Sequence, residues 1–186
     1  MNSYYTSNEL KEIGFKSYGN NVLVSKKASI YGAENISLGH DVRIDDFCIL
    51  SGHIEIGNYV HIAAYVGMWA GKTGIKIADF VGLSARTLLY AETDDYSGAV
   101  LTNPTIPSKY KNVISNKIII GKHSIVGSGS IILPGVIMGD GVAVGAGSLV
   151  TKKCDSWYIY VGTPAKQLKE RKKDLLKLEQ DFLKTE

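Results

Sequence analysis

The chain has 186 residues, a net charge of +3 and 20 glycines, which together describe one glycine-rich domain rather than two. So small a net charge does not favour nucleic-acid binding, and most of the positive charge lies in the last stretch of the chain. The start has no basic segment followed by an apolar one, and no apolar run approaches the ~20 residues that span a bilayer. We therefore expect a soluble, cytoplasmic protein with no membrane span.

The first predicted element is a short helix within residues 1–21. Thr6 and Glu9 have the spacing of a capping box, in which the two residues satisfy each other's backbone amides. Gly14 can end the helix in the left-handed conformation. We expect this helix to lie as a lid over one end of the main body.

Residues 22–164 follow a six-residue repeat. An aliphatic residue recurs at this interval in three runs, which are Leu38, Ile44, Leu50, Ile56, Ile62 and Met68; Ile77, Leu83 and Leu89; and Ile120, Val126, Ile132, Met138, Val144 and Val150. A period of six fits neither a 3.6-residue helix nor a long two-residue strand pattern. It is typical of short strands joined by tight turns and stacked as a parallel β-helix. Glycine often follows the aliphatic residue, where the turn needs positive φ or a close backbone approach.

The repeat also accounts for both cysteines. Cys48 and Cys154 occupy the small, inward-facing position that Ser, Thr and Val occupy in other repeats. We interpret them as packed core residues rather than catalytic nucleophiles. Two cysteines this far apart do not indicate a disulfide framework.

The repeat stops in an inserted loop, residues 90–117. A long insertion in a compact solenoid is usually functional, and this one carries Asp94, Asp95, Tyr96 and Asn103 among turn-forming residues. Asp94 and Asp95 are not expected to act as a pair, because adjacent residues of an extended segment point to opposite sides.

After Pro164 the sequence predicts a second helix over residues 165–186. Its apolar stripe consists of Leu168, Leu175, Leu178 and Phe182. We expect this stripe to pack against the main body or against a neighbouring copy.

Two motifs give the repeat a family resemblance: "GAGSLVTK", residues 145–152, and "VGTPAK", residues 161–166. With the repeat, they resemble the hexapeptide-repeat acyltransferases, in the branch of sugar O-acetyltransferases and nucleotide-amino-sugar N-acyltransferases. The resemblance implies an all-β solenoid, a left-handed parallel β-helix of triangular section with three repeats to a coil. It also implies a homotrimer with active sites between subunits and acetyl-coenzyme A as the donor.

The same resemblance implies where the donor binds. The residues carried over are Ser128, Ala146, Thr151, Lys152, Lys166 and Lys169. The backbone at Ser128 and Ala146 is expected to pair with the pantetheine amides, and the lysines to face the phosphates. Ser84 and Trp69, which project from repeats near the inserted loop, are predicted to bind the acceptor together with Asp95, Tyr96 and Asn103.

Asp94 is the residue that indicates which kind of acceptor the protein uses. In the sugar O-acetyltransferases that the chain resembles, the stretch matching "YAETD", residues 90–94, ends in a catalytic histidine, so Asp94 stands where that base would fall. A sugar hydroxyl needs a general base poised near neutrality, such as histidine. A sugar amine, like an α-amino group of pKa ~8, is already partly neutral and needs a carboxylate mainly to orient it and accept its proton. We therefore predict acetylation of the amino group of a dTDP- or UDP-linked deoxyamino sugar for surface polysaccharide.

His61 is the alternative catalytic base. It faces outward at the same phase of its repeat as Asp94, but five repeats separate the two, which is not a multiple of three. They are therefore expected on different faces, able to converge only across a subunit boundary. His40, His53 and His123 are predicted at the surface, and the histidines lack the spacing of a metal site, so no metal is predicted.

Two further functions remain open from the sequence. One is a sugar or galactoside O-acetyltransferase with His61 or Asp94 as the base. The other is a non-catalytic solenoid that binds or scaffolds a surface. The long insertion and the residues matching a coenzyme site argue against the second, since a scaffold needs neither.

Overall fold

The computed structural model describes residues 3–185 and shows a parallel β-helix of about seven coils. Met1, Asn2 and Glu186, which belong to the predicted terminal helical segments, lie outside the described residues. Within the described range the strands are β1 (Ser17–Tyr18), β2 (Leu23–Val24), β3 (Ser29–Tyr31), β4 (Ile36–Leu38), β5 (Arg43–Ile44), β6 (Ile49–Ile56), β7 (His61–Ile62), β8 (Gly67–Ile77), β9 (Gly82–Leu83), β10 (Leu88–Tyr90), β11 (Glu92–Asp94), β12 (Val113–Ser115), β13 (Ile118–Ile120), β14 (Ile125–Val126), β15 (Ile131–Ile132), β16 (Ile137–Met138), β17 (Ala143–Val144), β18 (Leu149–Val150), β19 (Tyr158–Val161) and β20 (Lys166–Glu170).

The strands form three flat faces. Face 1 contains β1, β4, the second halves of β6 and β8, β13 and β16; face 2 contains β2, β5, β7, β9, β14, β17, β19 and β20; face 3 contains β3, the first halves of β6 and β8, β10, β15 and β18. Each coil runs from face 1 to face 2 to face 3, and we name the turns between them the 1–2, 2–3 and 3–1 edges.

The aliphatic residues of the repeat fill the centre of the prism. Ile44, Ile62, Leu83 and Val126 lie in register on successive strands of face 2, and all are buried. Each strand contributes one inward side chain, so three short strands enclose a narrow core that continues from coil to coil. The six-residue spacing is therefore the length of one side of the triangle.

The glycine that follows many core residues is required by close approach of the next coil. A Cβ atom on Gly121 would lie 2.5 Å from the carbonyl carbon of Gly139, and one on Gly127 would lie 2.4 Å from the amide nitrogen of Ala146. Neither glycine has positive φ. Of the two reasons that the sequence offered for these glycines, close backbone approach is the one the structure supports.

The left-handed backbone conformation occurs two residues later in the turn. On the 2–3 edge this third residue after the core position is Phe47, Tyr65, Arg86, Gly129 and Gly147, with φ between 61° and 71°. On the 1–2 edge the corresponding residues are Asp41, Tyr59, Phe80, His123, Gly141 and Trp157. The turn backbone is therefore the same whether or not the residue is glycine.

The N-terminal helix agrees with its prediction. Helix α1 spans Ser7–Ile13, its capping box joins Thr6 and Glu9, and Gly14 ends it at φ 79°. The buried side chain of Leu10 packs onto the core at this end of the prism.

The C-terminal segment differs from the predicted helix over 165–186. Helix α2 spans only Leu175–Phe182, and Lys166–Glu170 form strand β20, antiparallel to β19. Strand β19 is the last strand of face 2 to pair in parallel. The backbone groups on its open edge form hydrogen bonds with β20 instead of facing solvent. Leu168 therefore lies exposed on a strand and does not share a helical stripe with Phe182.

Helix α2 packs on the 1–2 edge. The Phe182 ring meets the rings of Tyr59 and Phe80 edge-on, at centroid distances of 5.2 and 6.2 Å. Glu179 pairs with Lys122 and, at 2.9 Å, with His123 Nε2. His123 is thereby buried, so its prediction as a surface residue is wrong: the helix that covers it could not be located from the repeat.

Candidate active site

The inserted loop begins and ends on the 3–1 edge. Its base is a two-stranded antiparallel hairpin of β11 and β12, in which Asp94 pairs with Val113. Ser115 fixes the hairpin to the prism, because its hydroxyl donates to Glu92 at 3.1 Å and lies 2.9 Å from that of Thr73. A short 3-10 helix, Ser108–Tyr110, follows the loop tip. The sequence predicts only a long loop over residues 90–117, and the structure shows that its base is a regular hairpin.

A cleft of about 550 Å³ lies between the loop and face 3. It is lined by Trp69, Tyr90, Glu92, Thr93, Asp94, Tyr96, Pro104, Lys111 and Val113. The rings of Trp69 and Tyr90 stack with centroids 4.8 Å apart and planes inclined by 6°. Three of the predicted site residues, Trp69, Asp94 and Tyr96, are therefore brought together in one cleft.

The two neighbouring carboxylates have separate partners. The carboxylate of Asp94 accepts a hydrogen bond from the backbone amide of Asn103 at 3.1 Å, and this bond connects the loop tip to the hairpin. Asp95 accepts hydrogen bonds from the hydroxyl and from the backbone amide of Ser97, the latter at 2.7 Å. These bonds lower the pKa of Asp95. The hydrogen bonds of the two carboxylates thus differ, and of the two it is Asp94 that lines the aromatic cleft.

A second group of predicted residues lies on the 2–3 edge. Ser84, Ser128 and Ala146 occupy three successive coils there, joined by backbone hydrogen bonds from Gly129 to Ala85 and from Gly147 to Ser128. Within residues 3–185 the amides of Ser128 and Ala146 donate no hydrogen bond. A Cβ atom on Gly129 or Gly147 would meet nothing within 4 Å. This half of the edge is thus a bare backbone surface with two free donors, which fits an extended chain carrying amide carbonyls.

The remaining predicted coenzyme residues are dispersed. Thr151 and Lys152 begin the 3–1 edge after β18, whereas Lys166 and Lys169 lie on β20 beside face 2. All four are exposed. Of the four, Lys166 pairs with Val161, whose side chain lies beside Gly145, the residue before Ala146.

His61 is held by an ion-pair cluster on face 2. Its Nε2 lies 2.8 Å from Asp45 Oδ2, and Arg43 Nε lies 2.7 Å from Asp45 Oδ1. Partial burial acts to raise the pKa of Asp45, but the hydrogen bonds from His61 and Arg43 outweigh it and the pKa is lowered. Asp94 lies on the loop of the 3–1 edge, so the two candidate bases are on different sides of the prism, as the repeat phase predicts.

Both cysteines are buried in the core. Burial raises the pKa of Cys48 and of Cys154 to about 11. A thiol so reluctant to ionise is a poor nucleophile, which agrees with the packing interpretation.

Several cleft residues escaped the sequence interpretation. Tyr90 follows the core residue Leu89 as Trp69 follows Met68, so the repeat phase alone could have paired the two rings. Glu92, Thr93 and Lys111 had no such signal, because they lie in the hairpin and loop where the repeat has ended.

No metal centre is evident in the part of the chain that the structure describes, where no three His, Cys, Asp or Glu side chains converge. Likewise, none of the helices within residues 3–185 is long and apolar enough to cross a membrane.

Comparison with known proteins defines the class to which this fold and site belong. The family described as "Bacterial transferase hexapeptide (six repeats)" matches residues 117–152. A dTDP-4-amino-4,6-dideoxy-D-glucose acyltransferase from Escherichia coli is 48% identical over 183 residues, which are 97% of this chain and 95% of the relative. The chain belongs to the hexapeptide-repeat acyltransferases, and its β-helix is the left-handed one of that family. The predicted family and fold class are confirmed.

Among solved structures, the chain is similar to AntD, an N-acyltransferase from Bacillus cereus. An S84A variant of AntD, in complex with dTDP-4-amino-4,6-dideoxyglucose and coenzyme A, is 55% identical with a TM-score of 0.98 over 100% of both chains. AntD with dTDP and 3-hydroxybutyryl-CoA is 56% identical, at a TM-score of 0.97 over 100% of this chain and 98% of that one. A D94N variant of AntD, with dTDP and coenzyme A, matches equally well. A maltose O-acetyltransferase from Clostridium difficile 630, 22% identical with a TM-score of 0.53 over 89% of this chain and 75% of that one, shares the fold alone.

Proposed function

We propose that the protein transfers an acyl group from acyl-coenzyme A to the amino group of a dTDP-linked 4-amino-4,6-dideoxy sugar. The observation that carries the proposal is the carboxylate of Asp94 in the aromatic cleft, at the position where a hydroxyl-acylating relative would have a histidine. Support comes from the Escherichia coli relative and from AntD, which match this chain along almost its whole length.

The chemistry needs little from the protein beyond placement. The neutral amine attacks the thioester carbonyl, the C–S bond breaks, and the thiolate leaves with the proton that the nitrogen gives up. We assign to Asp94 the orientation of the amine and the acceptance of that proton on its way to the leaving group or to solvent. Trp69 and Tyr96 are proposed as walls of the acceptor cleft, with Asp95 and Asn103 shaping its loop.

Ser84 is assigned to the acceptor side of the reaction centre. It lies on the 2–3 edge, one coil from Ser128, with its hydroxyl on the half-exposed turn. Position 84 is also varied in AntD, which matches this chain over 100% of both chains. Its S84A and S84C variants are in complex with the dTDP-linked amino sugar and coenzyme A, and its S84T variant with dTDP and coenzyme A.

The donor is proposed to lie along the bare half of the 2–3 edge. The free amides of Ser128 and Ala146 would pair with pantetheine carbonyls. Thr151, Lys152, Lys166 and Lys169 are then proposed to face the nucleotide phosphates from their separate positions. The acyl group is taken to be acetyl, although AntD binds 3-hydroxybutyryl-CoA, so the donor assay should include both.

A homotrimer is part of the proposal. Asp94 and the donor edge lie on different sides of one prism, and a second copy would bring an inserted loop against the 2–3 edge of its neighbour. We further propose a cytoplasmic enzyme that supplies acylated sugars for surface polysaccharide, since both substrates would be available there.

The test is thiol release from acyl-coenzyme A with the dTDP-linked amino sugar, compared with the corresponding hydroxyl sugar and a plain galactoside. Turnover should require the amine and should rise with pH toward the amine's pKa of ~8. Turnover with the hydroxyl acceptors alone would contradict the proposal and would favour the O-acetyltransferase alternative.

Asp94→Asn separates the role of the charge from that of the fold. The asparagine oxygen can still accept from the Asn103 amide, so the loop should persist while turnover falls about 100-fold or more and coenzyme binding is kept. Asp181→Asn, an exposed carboxylate on α2, is the matched control and should leave turnover unchanged. Equal rates for the two variants would remove Asp94 from the reaction.

A further inference from the structure

Within residues 3–185, the 1–2 and 2–3 edges each carry a ladder of large side chains, and helix α2 covers the first but not the second. On the 1–2 edge the rings of Tyr59, Phe80 and His123 stack on successive coils, and helix α2 lies over them through Phe182. This ladder has a structural role, because the C-terminal helix α2 packs against it.

The second ladder lies on the 2–3 edge and consists of Lys27, Phe47, Tyr65 and Arg86. The rings of Phe47 and Tyr65 stack at 5.0 Å with planes inclined by 23°. Lys27 Nζ lies 5.4 Å from the Phe47 centroid, and the Arg86 guanidinium lies 5.9 Å from that of Tyr65. Within residues 3–185 no element covers these rings, which remain 46% and 51% exposed.

The ladder carries a backbone cost that glycine would avoid. Phe47, Tyr65 and Arg86 all have φ of 61–63°, a conformation that costs a non-glycine residue about 1 kcal/mol or more. The next two coils have Gly129 and Gly147 at the equivalent position. Bulky side chains are thus present on one half of the edge and absent from the other.

The charges on the ladder are unequal. Lys27 is neutralised by Asp46, whose carboxylate lies 2.8 Å away. Arg86 forms no ion pair with any described carboxylate, so its guanidinium is available for two hydrogen bonds to a phosphate. The exposed face therefore offers an aromatic stack that ends in one uncommitted cation.

We propose that this ladder binds the nucleoside diphosphate half of the acceptor, with the pyrimidine base against the exposed ring edges of Phe47 and Tyr65 and the diphosphate on Arg86. The inference rests on the proposed function, and it extends the acceptor site to residues that the cleft around Asp94 does not include. The faces of both rings are covered by each other, by Lys27 and by Arg86, so the base would meet their exposed edges, an edge-to-face arrangement that aromatic pairs favour.

Position along the edge supports this assignment. Ser84, which we place at the reaction centre, precedes Arg86 by two residues in the same turn. Neighbouring coils are about 4.8 Å apart, so Arg86 and Phe47 are separated by about 10 Å along the axis. That span suits an extended diphosphate and base. The donor would take the glycine half of the edge, and the two substrates would meet end to end at Ser84.

The test is calorimetric binding of dTDP to the full-length protein. Tyr65→Leu keeps an apolar side chain but removes the ring, and we expect it to weaken dTDP binding about tenfold or more. Arg86→Gln should weaken binding and reduce its dependence on salt, because it removes the phosphate contact. Tyr31→Ala, another exposed tyrosine (59%) at the end of β3, is the control and should bind as the unmodified protein does. Coenzyme A binding should be unchanged in all three.

Each other outcome has a definite meaning. If the unmodified protein binds dTDP and the ladder variants bind it equally well, the inference is overturned while the proposed function stands. If the unmodified protein does not bind dTDP, the proposed acceptor class itself is wrong. If Tyr65→Leu lowers the molar mass in sedimentation experiments and weakens dTDP and coenzyme A binding alike, the ring acts through assembly with the neighbouring copy, which also overturns the inference.

Discussion

Gly127→Ala should destabilise the protein by blocking the stacking of two coils. The added Cβ atom would lie 2.4 Å from the amide nitrogen and 2.8 Å from the Cα atom of Ala146, whereas ordinary contact begins at 3.4 Å. The backbone is the obstacle, so no side-chain rotation can relieve the overlap. The two coils must separate locally by about 1 Å.

The cost follows from what that separation would break. The amide of Gly127 donates to Val144 at 2.8 Å, and that of Ile125 donates to Val142 at 2.9 Å. Losing two inter-coil bonds at about 1 kcal/mol each, with overpacking of about 1–3 kcal/mol, gives an expected loss of roughly 3–5 kcal/mol. For a domain of this size the melting temperature should fall by roughly 6–20 °C.

Gly129→Ala is the matched control, two residues along the same turn. Its Cβ atom would meet nothing within 4 Å, and Arg86 adopts the same left-handed backbone one coil earlier. The penalty of about 1 kcal/mol for alanine at positive φ is partly offset by lower entropy of the unfolded chain. Melting would be followed by circular dichroism at one protein concentration, because association would also shift the midpoint. Equal melting temperatures for the two variants would refute the close-approach argument.

Three further predictions concern the rest of the fold. Cys48 and Cys154, with pKa values of about 11, should resist iodoacetamide at pH 8 in the folded protein and react fully in denaturant; labelling of the folded protein would contradict their burial. Hydrogen bonds from Lys122 lower the pKa of Glu179, with a smaller contribution from His123, so docking of α2 should be stable above the ordinary carboxyl pKa and weaken as pH falls through the lowered value. Glu179→Gln should abolish that acid dependence in hydrogen exchange of α2, and an unchanged profile would assign it elsewhere. Thr6→Ala removes the N-cap of α1 and should cost about 1 kcal/mol in denaturant unfolding, whereas no change would show that the lid does not contribute.

The repeat predicts the prism well because its cause is local and recurs. Each core residue such as Leu83 or Val126 fills one side of the triangle, and the glycine after it marks contact with the next coil. The phase of the repeat also places His61 and Asp94 on different sides and puts both cysteines in the core. A single periodic rule therefore predicts most of the prism.

Prediction fails where tertiary contacts replace the repeat. Lys166–Glu170 have helix-forming residues, but the open edge of β19 recruits them as a strand. His123 has an ordinary turn position and is buried only because α2 returns to cover it. In the inserted loop the hairpin of β11 and β12 depends on pairing across 18 intervening residues, which no short-range pattern encodes.

The left-handed turn position gives the prism a row of replaceable side chains. Because Phe47, Arg86 and Gly129 share one backbone geometry, the residue there can change without disturbing the coil beneath it. The 2–3 edge is therefore a column of sites at a fixed pitch of about 4.8 Å, independent of the core that supports it. A substrate that extends along the axis can be matched unit by unit, so new specificity can evolve through exchanges along one column while the rest of the chain stays as it is.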